Sequence, residues 1–178
     1  DIPGYGYVLG CHAFGLEETE DYQAAEKVGR KAVALNPQDP WAIHAVAHVM
    51  EMQGRHHDGI TWLGQLEENW KGANAFAGHI AWHRTLYLLE IGQFSKVLDL
   101  YDQEIRNDPA SDDYLDIANA ASLLWRLQSD GVDVGGRWKD LADVAATRIN
   151  DQSLVFADLH YLLTFLGAER QNLIAKML

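Results

Sequence analysis

Asn36-Pro37-Gln38-Asp39-Pro40-Trp41-Ala42-Ile43-His44-Ala45-Val46-Ala47-His48-Val49-Met50-Glu51-Met52-Gln53-Gly54-Arg55 holds, in one run, a helix stop, a helix start, a helix and a turn. Pro37 ends the preceding helix, because proline cannot donate the next backbone bond and its ring clashes with the turn before it. Asp39 is placed to cap the next helix, with Pro40 at its first position, where a missing N–H costs nothing. Gly54-Arg55-His56 then turns the chain into a further helix.

The same shape recurs on either side. Tyr7 to Pro37 reads as two helices folded about Glu20-Asp21-Tyr22, with the small Ala25 and Ala32 on the second. Gly54-Arg55-His56 is followed by Gly59, Leu63 and Leu66, and Gly92-Gln93-Phe94 by Val97, Tyr101 and Asp108-Pro109. Glu20 and Gly54 are 34 residues apart and Gly54 and Gly92 are 38 apart, close to the 34-residue period of tetratricopeptide repeats. Ala25 and Gly59 are expected to let the two helices of a pair approach closely. Beyond residue 110 the expected helices run from Ser111 to Leu127, capped by Ser111 or Asp112, then Arg137 to Ile149, Ser153 to Leu166 and Glu169 to Leu178. Proline is scarce and no alternating strand with a hairpin signal occurs. The expected fold is all-α, a tetratricopeptide-like superhelix of about five antiparallel helix pairs. Residues 1–178 form one continuous repeat domain in this reading, expected to be a fragment of a longer chain.

The net charge of −12 disfavours nucleic acid and anionic membrane as partners. No run of about 18 apolar residues is present, so no membrane span is expected. The single cysteine, Cys11, cannot form an intrachain disulfide, which fits a cytoplasmic protein. Next to His12 it reads as a structural residue, since neighbours on a helix point about 100° apart.

Further stretches, Ala13-Phe14-Gly15-Leu16-Glu17-Glu18, Gly78-His79-Ile80-Ala81-Trp82-His83, Ala121-Ser122-Leu123-Leu124-Trp125-Arg126-Leu127 and Phe156-Ala157-Asp158-Leu159-His160, join the opening run in a larger pattern. Together they resemble the tetratricopeptide repeat protein 38 family over nearly the whole chain. The segment around His44 and His48 is the specific part. The resemblance implies a fold and a longer N-terminus, and it implies no settled activity.

Eight histidines occur, and two pairs, His44/His48 and His79/His83, are four residues apart. Composition alone predicts about 0.35 such pairs in a chain like this. Residues four apart share one helix face, so each pair can offer two ring nitrogens to one ion. His44 and His48 fall at the fifth and ninth positions of their helix, which usually face the concave groove of such repeats. His79 and His83 are expected at about the second and sixth positions of the next repeat's first helix.

Three readings follow. The histidines and Trp41, Trp82 and Trp125 pack the repeats together. Or the groove is an interaction surface for a peptide, a partner protein or a small ligand, lined by His44, His48, Glu51, His79, His83, Arg126, Asp158 and His160, with Arg84 as a further donor. Or His44, His48, His79 and His83 hold a divalent metal, with Glu51 as a base for hydrolysis. The scaffold is the leading reading, with no cofactor. The metal-binding protein or metal-dependent enzyme is the alternative. His56 and His57 are expected in a solvated turn, and Glu17, Glu18, Glu20 and Asp21 on a solvated face. No nucleophile elbow or phosphate-binding loop occurs.

Overall fold

The computed structural model describes residues 3–178, the side chain of residue 75 excepted. Among the described residues every regular element is helical, and no helix is long and apolar enough to cross a membrane. The chain packs into two compact units, one through Ile91 and one from Gly92.

The first unit contains α1 (Tyr5–Glu17), α2 (Tyr22–Leu35), α3 (Pro40–Met52), α4 (His56–Gln65), the short α5 (Glu67–Trp70) and α6 (Ala75–Glu90). α1 packs on α2, both pack on α3, and α3 and α4 pack on α6. Local signals explain the starts. Asp39 accepts the Trp41 N–H at 3.1 Å with Pro40 beside it, and Asp21 accepts the Ala24 N–H at 3.2 Å. Apolar burial does the rest. Ile43, Val46, Ala47 and Met50 of α3 meet Leu63, Trp70, Ile80 and Tyr87 in one core. The polar tips of the large rings are satisfied there. Tyr87 donates to the Ala47 carbonyl at 2.6 Å and Trp70 to the Leu63 carbonyl at 2.9 Å.

The second unit contains α7 (Phe94–Leu100), which runs into a π-helical turn (Tyr101–Ile105), then α8 (Tyr114–Ser129), α9 (Arg137–Ala145), a 3₁₀ turn (Ala146–Arg148), α10 (Val155–Gly167) and α11 (Gln171–Met177). Ile117, Leu123, Leu124 and Leu127 of α8 pack with Trp138 and Leu141 of α9 and Tyr161 and Phe165 of α10 in its interior. The cap of α8 differs from expectation. Asp113 accepts the Leu115 N–H at 2.9 Å, while Ser111 bonds Asp116 at 2.6 Å.

One turn geometry repeats along the chain. Glu20, Gly54, Gly131 and Glu169 all have positive φ, and the residue after each donates its N–H to a carbonyl five residues back: Asp21 to Leu16, Arg55 to Met50, Val132 to Leu127 and Arg170 to Phe165. This is the Schellman closure of a helix end. Gly92 has the same left-handed φ after α6. Glycine takes this conformation without strain at three of the five sites, and glutamate accepts it at the other two. Among the described residues four helix-turn-helix pairs lie within the units, α1–α2 and α3–α4 in the first and α8–α9 and α10–α11 in the second, and the left-handed turn residues are 34 to 39 positions apart.

Gly59 has a different partner from the one expected. A Cβ at Gly59 would lie 2.4 Å from the Tyr87 ring, so the glycine admits the ring from α6 rather than the other helix of its own pair. That ring is fully buried and its hydroxyl is held by Ala47, so it cannot swing aside. Gly59→Ala should therefore lower unfolding free energy by about 1–3 kcal/mol through overpacking. Gly64→Ala on the same helix has nothing within 4 Å of the added carbon. It should raise stability by up to about 1 kcal/mol through helix propensity. Urea midpoints of the two variants check this; the same sign for both would contradict the packing account.

Candidate metal centre

α3 and α6 each begin five residues before the first histidine of a pair when both ends are counted. His44 and His48 occupy the fifth and ninth positions of Pro40–Met52, and His79 and His83 the fifth and ninth of Ala75–Glu90. This corrects the expected second and sixth positions for the later pair. The start of α6 at Ala75 carries no capping side chain, so the sequence does not mark it. The two pairs are thus in equivalent register on two helices that pack together.

One ring nitrogen from each of the four histidines lies within 4.8 Å of one from every other. His44 Nε2 and His79 Nε2 are 3.0 Å apart, and the ring centroids of His44/His48 and His48/His83 are 4.3 and 4.5 Å apart. His44 and His83 are buried at 3% exposure each, while His48 and His79 are half-buried. Aromatic rings surround the group. Phe14 and Trp41 lie 5.7 and 5.2 Å from His44, Phe76 lies 5.0 Å from it, and Trp82 stacks on His79 at 5.4 Å.

Polar satisfaction is poor for so buried a cluster. Neither ring nitrogen of His83 has a hydrogen-bond partner, nor does His44 Nδ1 or His48 Nε2. Buried polar atoms are normally paired, and each exception asks for a reason. Burial and the neighbouring imidazoles push His44 and His83 well below the ordinary value of 6.5, and burial, with His79, holds His48 at about 4. At neutral pH these rings are uncharged, with lone pairs available for a ligand.

Glu17 was expected on a solvated acidic face. It is instead 5% exposed, at the end of α1, with Oε2 3.5 Å from His48 Nδ1. Desolvation raises its pKa above the usual 4.5, with the Glu18 charge adding to the shift. Glu18, Glu20 and Asp21 are exposed as expected. The local sequence holds no signal for the burial of Glu17, which arises because α1 packs over α3.

The other expected site residues fall as follows. Glu51 lies on α3, one turn beyond His48. Arg84, on α6, donates to Glu67 at 3.2 Å. Arg126 on α8 donates to the Ser122 carbonyl at 3.1 Å, and Asp158 and His160 lie on α10, with His160 Nδ1 2.7 Å from the Phe156 carbonyl. These last three belong to the second unit. Trp125, expected to knit the repeats, is 47% exposed, and Cys11, expected in a structural role, is exposed too. His57 is exposed as expected, but His56 opens α4 half-buried, 6.3 Å from the Tyr87 ring.

No family model matches the chain, and no solved structure matches it.

Proposed function

We propose that the chain binds a divalent transition-metal ion through His44, His48, His79 and His83, in a tetratricopeptide-like helical repeat of the tetratricopeptide repeat protein 38 family. The family and repeat reading rests on the resemblance together with the helix pairs within each unit and their recurrent turns. The metal reading rests on one observation above all: His83 is buried with two idle ring nitrogens inside a cluster of three other imidazoles. A packing residue would be better as leucine, and a groove donor would need to reach solvent. A metal ligand needs neither.

The donor chemistry narrows the ion. Four neutral nitrogens suit zinc, copper, nickel or iron, and do not suit calcium or magnesium, which take oxygen ligands. Zinc–nitrogen bonds of about 2.0–2.1 Å put the nitrogens of a tetrahedron about 3.3 Å apart. The existing His44–His79 separation of 3.0 Å is close to that, and one nitrogen from each of the four rings lies within 4.8 Å of the others. Four protein ligands fill a tetrahedral ion, so the arrangement fits a closed centre that joins α3 to α6 better than a catalytic one with an open position. The catalytic role considered for Glu51 gains nothing from this geometry.

Titrating chelator-treated, untagged protein with cobalt(II) tests the proposal. The visible bands of a tetrahedral cobalt site should develop to one equivalent and be erased by zinc. Zinc at a hundredfold over its dissociation constant should stabilise the fold by about 2.7 kcal/mol. Flat spectra and an unchanged melting temperature would sink the reading.

A further inference from the structure

Three helices, rather than two, meet at the histidine cluster, and the third brings a carboxylate. Glu17 ends α1 at 5% exposure, and its Oε2 has no hydrogen-bond partner. The base facing it is His48, whose Nδ1 is 3.5 Å away. On the opposite edge of the same ring, Nε2 is buried, also without a partner. A neutral imidazole carries its proton on one nitrogen and its lone pair on the other, and the partner of the first decides which is which. A carboxylate accepts and cannot donate, so a hydrogen bond closed across this 3.5 Å gap would fix the tautomer with the proton on Nδ1. That leaves the lone pair on the buried Nε2, in a ring whose centroid lies 4.3 and 4.5 Å from those of His44 and His83.

Charge points the same way. Four imidazoles bring no negative charge, so a divalent ion among them would keep its full charge in an aromatic-walled, water-poor site. Burying an ion without a counter-charge is unfavourable. Glu17 supplies one negative charge one residue removed from the ion. Its buried Oε2 is without a hydrogen-bond partner, and a buried carboxylate oxygen left in that state is costly, which a cation beside it would offset.

Resting on the metal reading above, we infer that Glu17 is the positioning carboxylate of the centre: it holds the Nδ1 proton of His48, aims Nε2 at the ion and offsets part of the ion's charge. It is not a ligand in this account. A hydrogen-bonded carboxylate behind a ligating histidine is expected to be worth 10–100-fold in metal affinity.

The test is a zinc competition titration on four untagged proteins: the native chain, Glu17→Gln, His48→Ala and the double variant. Glutamine keeps the shape of the side chain and removes its charge. Glu17→Gln should weaken zinc by 10–100-fold with saturation still at one equivalent, and the cobalt(II) bands should keep their positions, because the ligand set is the same. In the His48→Ala background the Glu17 change should have almost no further effect, since the ring it orients is gone. Unchanged affinity in Glu17→Gln overturns the inference and leaves the metal reading intact. So does an equal loss in both backgrounds, which would mark a structural effect. Shifted cobalt bands in Glu17→Gln would make it a ligand and also overturn the positioning role. A native chain that takes up no metal would overturn both readings together.

Discussion

His83→Leu is expected to make the metal-free protein more stable and the metal-bound protein unattainable. The ring is 3% exposed and neither nitrogen is hydrogen-bonded, so the native chain carries two unsatisfied polar atoms in its core. Replacing such a group by an apolar one of similar size removes a desolvation cost of about 1–3 kcal/mol per group, against a small loss from imperfect fit. A net gain of about 1–2 kcal/mol in chelator-treated protein is the expected urea result. Zinc affinity should fall by more than about a hundredfold, because loss of a ligand must exceed loss of a supporting residue. Opposite signs for stability and affinity are what separate a binding residue from a packing one. Equal destabilisation with and without zinc would return His83 to the core.

Acid should destabilise the metal-free first unit well before ordinary acid denaturation. His48 is held at about 4, and His44 and His83 well below 6.5, in each case chiefly by burial. The unfolded chain takes up these protons near pH 6.5 and the folded chain does not. The unfolded state therefore binds more protons below about pH 6.5, and stability falls as pH falls through that window. For His48 alone the loss between pH 7 and pH 5 is on the order of 2 kcal/mol. His44 and His83 act in the same direction. Glu17 and Asp39, both raised by desolvation, act in the opposite direction, since their folded forms hold protons more tightly. Their contribution enters as pH falls through their own folded values, so it offsets the loss at the acid end without reversing it. Melting curves from pH 8 to pH 5 should show a steady fall, shallower in a His44→Leu/His83→Leu variant, which keeps only the part due to His48. A native curve that is flat over this range would contradict the burial of neutral imidazoles.

The helix pairs were readable from the sequence because their boundaries are made by local chemistry. Asp39-Pro40 acts through its own neighbours, and Gly54 and Gly92 supply the left-handed φ that closes a helix end. The four-residue spacing of His44/His48 and His79/His83 was likewise a local fact that helix geometry turns into a shared face. What was hidden depends on contacts distant in sequence. α6 starts at Ala75 after Asn74 with no capping bond, so its register, and the equivalence of the two histidine pairs, had no local mark. Glu17 sits in an acidic run that reads as solvated, and it is buried by packing between α1 and α3. Gly59 looked like a contact within its own pair, yet the ring that needs the space belongs to Tyr87, 28 positions on. The π-helical turn at Tyr101–Ile105, closed by the Arg106 N–H to the Tyr101 carbonyl at 2.8 Å, left no trace in the pattern of apolar residues.

The most direct test of the metal centre is elemental analysis of the untagged protein, produced with added zinc and dialysed without chelator, beside a His48→Ala variant. Close to one transition-metal ion per chain in the native protein, and a small fraction of that in the variant, is the predicted result. No bound metal in either would contradict the centre, and leave the four histidines as a buried cluster whose idle nitrogens have some other cause.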